Sequence, residues 1–277
     1  MELLNWITAP LAYAFMTKAL LVSMLVGIVC AILSCYMILK GWSLLGDAVS
    51  HSVLPGVVIS YLLGIPFGIG AFVFGLGSVI TIGFIKSKTR IKEDAVIGIV
   101  FTALFALGIV LISKTPSEID LMHVLFGYVL GISNQDAIQT LVIGVVTIAL
   151  TLYFRKDLLL YCFDPKHARS IGINTTMLHY LFLVLLALTT VTAIQTVGII
   201  LVIAMLITPG ALAYLLTDKF DEMLTISVGS GVVSCVVGTY ASYYMDISTG
   251  GAIVVTQAIL FLFALVLAPK YGIMKRR

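Results

Sequence analysis

The sequence predicts an all-α integral membrane protein, a polytopic bundle of transmembrane helices, on three observations. Of its 277 residues, 61% are hydrophobic and 10% charged, against roughly 45–50% apolar and 25% charged in soluble domains. So much apolar surface cannot be hidden in one soluble core, and most of it must face lipid. Long apolar runs recur along the chain, and several reach the roughly 20 residues that a helix needs to cross a hydrocarbon core about 30 Å thick. These runs lack the alternation of apolar and polar residues seen in a membrane strand, which favours helices over a barrel.

Nine spans are expected, at Ala19–Leu39, Asp47–Leu63, Phe67–Ile85, Ala95–Ile112, Ile138–Phe154, Leu178–Ala193, Val197–Leu216, Met223–Tyr244 and Ala252–Ala268. The run from Leu178 to Leu216 is broken only at Gln195 and Gly198, so a kinked or re-entrant element, and eight spans, is the alternative. Basic residues bear on the count. Lys86, Lys88, Arg90 and Lys92 share one connection, Arg155, Lys156, Lys166 and Arg169 another, and Lys270, Lys275, Arg276 and Arg277 the tail, while Lys40 and Lys219 mark two further turns. Nine alternating spans put all of these on one side, leaving Lys18 and Lys114 opposite. The positive-inside rule makes the richer side cytoplasmic, with the N-terminus outside and the C-terminus in. Glu2 and the lack of a basic n-region or small-residue cleavage site lead us to expect that the first span is retained.

The longest connections are Ser113–Ala137 outside, whose apolar stretch Leu121–Leu130 is too short to span, and Arg155–Met177 inside. The whole chain, 1–277, therefore reads as a single transmembrane domain. Cys30, Cys35, Cys162 and Cys235 fall mostly within apolar runs without zinc-type or redox spacing, and read as small packing residues. The 24 glycines, Gly68, Gly70, Gly75 and Gly77 among them, read as places of close helix approach.

The acidic residues are the sharpest functional clue. Twelve of the 13 fall in or beside predicted connections and termini; Asp47 opens a long apolar stretch instead, and His51 follows four residues later. Positions i and i+4 share one helix face. If Lys40 marks the boundary, a continuous helical rise puts His51 roughly 16 Å deep, near mid-membrane. A carboxylate at such depth costs at least about 2.5–3.5 kcal/mol, which a transported cation would offset; an Asp–His hydrogen bond locking two helices is the bland alternative. Two ligands are too few for a tight divalent site, and a two-fold dimer would supply the second pair. Carboxylate and imidazole suit manganese, iron or zinc, whereas the lack of thiolates argues against copper(I).

Other candidates carry less. Glu118, Asp120 and His123, in the outer connection, form a possible gate or docking surface, or an ordinary solvated loop. His167 and His179 are expected to be solvated at the cytoplasmic face. Pro209-Gly210, after Met205, invites a kink that could free carbonyls to line a pore, with a packing kink as the default. In the inner loop, Asp164 can cap a short helix, Pro165 suits its first position and Gly172 can end it. The chain has no GxxxxGK[ST] loop and no room for an ATPase domain, so it is expected to be non-catalytic and to draw energy from a separate subunit or an ion gradient. It also lacks the HExxH of an intramembrane metalloprotease, and the buried charges and repeated halves expected of a gradient-driven transporter.

Three stretches resemble the ABC-3 family, the permeases of manganese, zinc and iron importers. Leu44–Val57 (LLGDAVSHSVLPGV) resembles its signature, Asp164–Ile173 (DPKHARSIGI) its coupling helix, and Val197–Thr217 its late-span segment. The resemblance covers essentially the whole chain in the same motif order. It implies a type II ABC importer-like bundle in the bacterial plasma membrane, working as a homodimer. It further implies two cytoplasmic ATP-binding cassette subunits docked at Asp164–Gly172, notably Asp164, Pro165, Ala168 and Gly172, and an extracytoplasmic solute-binding protein. Metal ligation is implied at Asp47 and His51, with no permanently bound cofactor and no nucleic-acid partner. Pro55 and its neighbours look more like the manganese branch, so Mn²⁺ is the expected substrate, with Zn²⁺ or Fe²⁺ as alternatives.

Overall fold

The computed structural model describes residues 9–115 and 131–268, and among these every regular element is helical. After a 3₁₀ turn at Pro10–Ala12 the described residues form twelve α-helices, here α1 to α12. Helix α1 (Ala14–Lys40) is the post around which the bundle forms; Cys30, Ala31, Leu33, Cys35, Tyr36 and Met37 on it are fully enclosed. It begins five residues before the predicted span because Lys18 need not end it. That side chain reaches outward and donates to the Ile132 carbonyl (2.5 Å) and to Asn134 Oδ1 (2.7 Å), a long stem keeping its charge at the rim. At the other end Gly41, in the left-handed region (φ 74°), closes the helix. Its N–H and that of Trp42 return to the Ile38 and Met37 carbonyls.

The second span is two helices, α2 (Leu45–Ser52) and α3 (Leu54–Leu63), jointed at Val53. Pro55 explains the joint, because it has no N–H to give the His51 carbonyl one turn earlier. Helices α4 (Phe67–Lys88), α5 (Glu93–Lys114) and α6 (Asn134–Tyr153) follow. The Ser133 hydroxyl caps α6 by accepting the Asp136 N–H at 3.0 Å. Two short helices, α7 (Arg155–Phe163) and α8 (Pro165–Ser170), fill the inner connection. The last four are α9 (Thr175–Val197), α10 (Ile199–Leu216), α11 (Phe220–Met245) and α12 (Thr249–Leu267).

Among the described residues, nine helical segments are long and apolar enough to cross a membrane, α2 and α3 together counting as one. The nine-span reading therefore holds over the eight-span one. Gly198 (φ 84°) is the single non-helical residue between α9 and α10, and each of them has a membrane-length run of its own. Lys40, Arg155 and Lys219 gather at one end of the bundle, and Lys18 sits at the other. At the basic end Arg155 pairs with Asp221, tying α7 to α11. The predicted outer-connection stretch Leu121–Leu130, and Lys270, Lys275, Arg276 and Arg277 of the tail, lie outside the described residues.

Lipid offers no hydrophobic drive between helices, so close approach through small residues holds the bundle. A methyl group on Gly27 of α1 would stand 2.8 Å from Cys235 Sγ of α11, and one on Gly238 of α11 would stand 2.5 Å from the Ile253 Cα of α12. The tightest of these seams joins α3 to α4, where Gly56 and Gly70 meet backbone to backbone and the Gly70 N–H donates to Ser60 Oγ at 3.1 Å.

Candidate functional site

Asp47 lies in the first turn of α2 and His51 in its last, and the structure joins them on one face. His51 Nε2 is 3.2 Å from Asp47 Oδ1, with the two side chains 28% and 32% exposed. A carboxylate can only accept, so in the neutral imidazole Nε2 carries the proton and Nδ1 the lone pair. Nδ1 is buried and has no hydrogen-bond partner among the described residues. The ring is held from α5 by Phe105, edge-on at 5.0 Å between centroids, and by Phe101 at 5.7 Å. Carboxylate and imidazole are both donor types that divalent cations take, and here the Nε2 edge of the ring is the one turned toward Asp47. Nearby hydroxyls do not compete, for Ser50 and Ser52 donate back to the Gly46 and Ala48 carbonyls of their own helix.

The depth expected from sequence needs correction. Residues 41–44 form a turn and contribute no regular rise. Of the roughly 16 Å rise assumed between Lys40 and His51, only the six residues from Leu45 to His51, about 9 Å, are regular helix. Among the described residues no group of three or more His, Cys, Asp or Glu side chains converges, so one copy supplies two donors here.

The second candidate is α8. Asp164 accepts the N–H groups of Lys166 and His167, both at 3.0 Å, and Pro165 occupies the first turn. Those two bonds, chiefly that from His167, hold the Asp164 carboxyl below its usual range. Gly172 (φ 87°) lets the chain turn back, so that Ile173 N–H reaches the Ala168 carbonyl at 3.0 Å. Ala168 is fully buried and seats the helix, whereas Asp164, Lys166, His167 and Arg169 are exposed. Arg169 Nε donates to Thr175 Oγ1 at 2.7 Å, fastening α8 to the start of α9. The result is a short rigid handle standing out from the basic end.

His179 departs from its expected solvated role, since it is half-buried and its Nδ1 is 2.8 Å from the Tyr161 hydroxyl. Trp42 packs edge-on against it at 5.5 Å. Pro209 lies inside an unbroken α10, and the segment takes the packing role expected by default. Ser34 of α1 donates to the Ile207 carbonyl (3.1 Å) and accepts the Gly210 N–H (3.0 Å), and Met205 is fully buried, so this segment is spent on packing. Glu118, Asp120 and His123 lie outside the described residues.

Residues 12–268 match the family described as the ABC 3 transport family. The chain belongs to that family. It is 61% identical over 270 residues to the manganese transport system membrane protein MntB of Synechocystis sp., covering 98% of this chain and 88% of that one. It is 51% identical over 264 residues to the chelated iron transport system membrane protein YfeD of Yersinia pestis, covering 95% and 89%. Among solved structures it is similar to PsaBC from Streptococcus pneumoniae, with a TM-score of 0.86, 42% identity and 97% coverage of both chains. An inward-facing metal-chelate type ABC transporter shares the fold at a TM-score of 0.73 and 16% identity, over 90% of this chain and 84% of that one. Membership of the ABC 3 family makes this chain a multi-pass transport subunit, in keeping with its nine membrane-length helices.

Proposed function

We propose that this chain is the membrane-spanning permease of an ATP-driven divalent metal importer of the bacterial plasma membrane, and that its cargo is manganese. The observation that carries the reading is the Asp47–His51 pair, a carboxylate and an imidazole held together on one face of a short helix, with too few donors among the described residues to hold an ion alone. A second copy of the chain, related by a two-fold axis, brings the same pair and makes a four-donor path on the axis. Oxygen and imidazole donors without thiolate suit Mn²⁺. The manganese name carried by the 61% identical relative supports that choice, and the iron name of the 51% identical one makes Fe²⁺ the next candidate, ahead of Zn²⁺. The chain is non-catalytic in this reading. ATP is hydrolysed by two cassette subunits that grip the handle Asp164–Gly172 on the cytoplasmic side, and a solute-binding protein delivers the ion outside.

The test is elemental analysis of a strain lacking the gene, complemented with the wild-type chain, Asp47→Ala or His51→Ala at matched expression. Restored manganese with wild type and neither variant is the expected result. Restoration of iron or zinc instead keeps the site and overturns the cargo. Full restoration by either variant sinks the metal path.

A further inference from the structure

The handle and the ligand pair stand on different elements, and four residues scattered in sequence lie between them at the basic end. Tyr161 belongs to α7, three residues before the handle begins at Asp164. Its hydroxyl meets His179 Nδ1 on the first turns of α9 at 2.8 Å. His179 is one helical turn beyond Thr175, where Arg169 of the handle is bonded. The His179 ring in turn meets Trp42 edge-on at 5.5 Å, and Trp42 is buried. The Trp42 carbonyl accepts the N–H of Leu45, the first residue of α2, at 2.9 Å, and Asp47 follows two residues later. Lys40 closes the group by donating to the Tyr161 carbonyl at 3.2 Å while lying over the Tyr161 ring at 4.0 Å and the Trp42 ring at 5.6 Å.

We propose that Tyr161, His179 and Trp42 are positioning residues that convey displacement of the α8 handle to the helix bearing Asp47 and His51. This rests on the function proposed above. Moving α8 pulls on α9 through Arg169–Thr175 and on α7 through the chain itself, and both pulls meet at His179. From there the next packed group is Trp42, in the turn that leads into α2. Arg155–Asp221 ties α7 to α11, whose packing reaches α2 by way of α10, a longer route. None of the three residues is a metal donor in this scheme. The test separates coupling from assembly.

The assay is import of manganese(II) chloride into proteoliposomes holding the complete complex with its ATPase subunits, read as metal imported per ATP hydrolysed. That ratio does not depend on how much complex assembles. Tyr161→Phe removes one oxygen and keeps the ring. It is expected to lower the ratio about two- to tenfold, the range that follows from the net worth of one neutral hydrogen bond. Trp42→Phe, which keeps an aromatic edge, is expected to hold the ratio near wild type, and Trp42→Leu to lower it. Combining Tyr161→Phe with Trp42→Leu is expected to lower it no further than the worse single change, because both break one chain of contacts. A wild-type ratio for Tyr161→Phe, or losses that multiply in the double variant, overturns the proposal. Absence of ATP-dependent import by wild type, or import by Asp47→Ala, would overturn the proposed function instead, so the two failures are distinct.

Discussion

The contact between α3 and α4 supplies a prediction whose size can be worked from geometry. A methyl group on Gly56 would stand 2.5 Å from the Gly70 carbonyl carbon and 3.0 Å from the Ala71 nitrogen, all of it backbone that cannot swing aside. Carbon atoms rest at about 3.5–4.0 Å, so Gly56→Ala must open the two helices by roughly 1 Å. Opening them stretches the Gly70 N–H···Ser60 Oγ bond, already 3.1 Å long. Overpacking of this kind costs about 1–3 kcal/mol, against which alanine returns up to about 1 kcal/mol of helix propensity. Gly77, on α4, is the internal control, for a methyl group there meets nothing within 4 Å. In detergent, the thermal midpoint of Gly56→Ala should fall by several degrees while Gly77→Ala holds or rises. Because α3 continues from the helix carrying His51, import by Gly56→Ala should fall with it. Equal midpoints for the two variants would refute the claim that backbone contact sets this spacing.

Three further outcomes are expected. Ser34→Ala strips a buried hydroxyl from the Gly210 N–H and the Ile207 carbonyl, and should cost about 1 kcal/mol of stability in a denaturant titration. The four cysteines are free and buried, and burial pushes the Cys162 thiol up to about 12. A maleimide should therefore leave native protein unlabelled at pH 7 and label it once denatured. The carboxyl of Asp164 is depressed in the folded chain, so its capping of α8 is intact above the ordinary carboxylate range and is lost only as pH falls through the lower folded value. Hydrogen exchange at Lys166 and His167 should stay protected from pH 7 to 5, and Asp164→Ala should remove that protection at every pH.

Spans were legible because bilayer thickness imposes a length that hydropathy alone reveals, and all nine expected runs fall on helices. Their ends were less so. The first span was expected from Ala19, yet α1 also holds Lys18, whose charge reaches Ile132 and Asn134, more than a hundred residues away. The Asp47–His51 pair was readable because four residues is a helical neighbour distance. The continuous helical rise assumed from Lys40 to His51 does not exist, because Gly41 ends α1 and four residues turn before α2 starts. The phenylalanines that hold His51 come from α5, and the partners of His179 from α7 and the turn before α2. Local pattern carries no trace of such contacts. The handle is the opposite case. Asp164, Pro165 and Gly172 each do what their own chemistry dictates, and all three roles were visible in ten consecutive residues.

The single glycine between α9 and α10 bears on how the chain enters the membrane. From Leu181 to Leu216 there is not one charged side chain, while Arg169, Asp218 and Lys219 flank the far ends of the pair. The corner at Gly198 thus has neither loop nor charge to carry through lipid, where each charged residue costs about 2.5–3.5 kcal/mol. Such a pair is suited to insert as one hairpin, corner first, rather than as two successive spans. The same economy leaves no slack. A tag or linker placed between Val197 and Ile199 would pry apart a corner that also lies against Gly250 at the start of α12, where the Val197 carbonyl would be 3.7 Å from an added methyl.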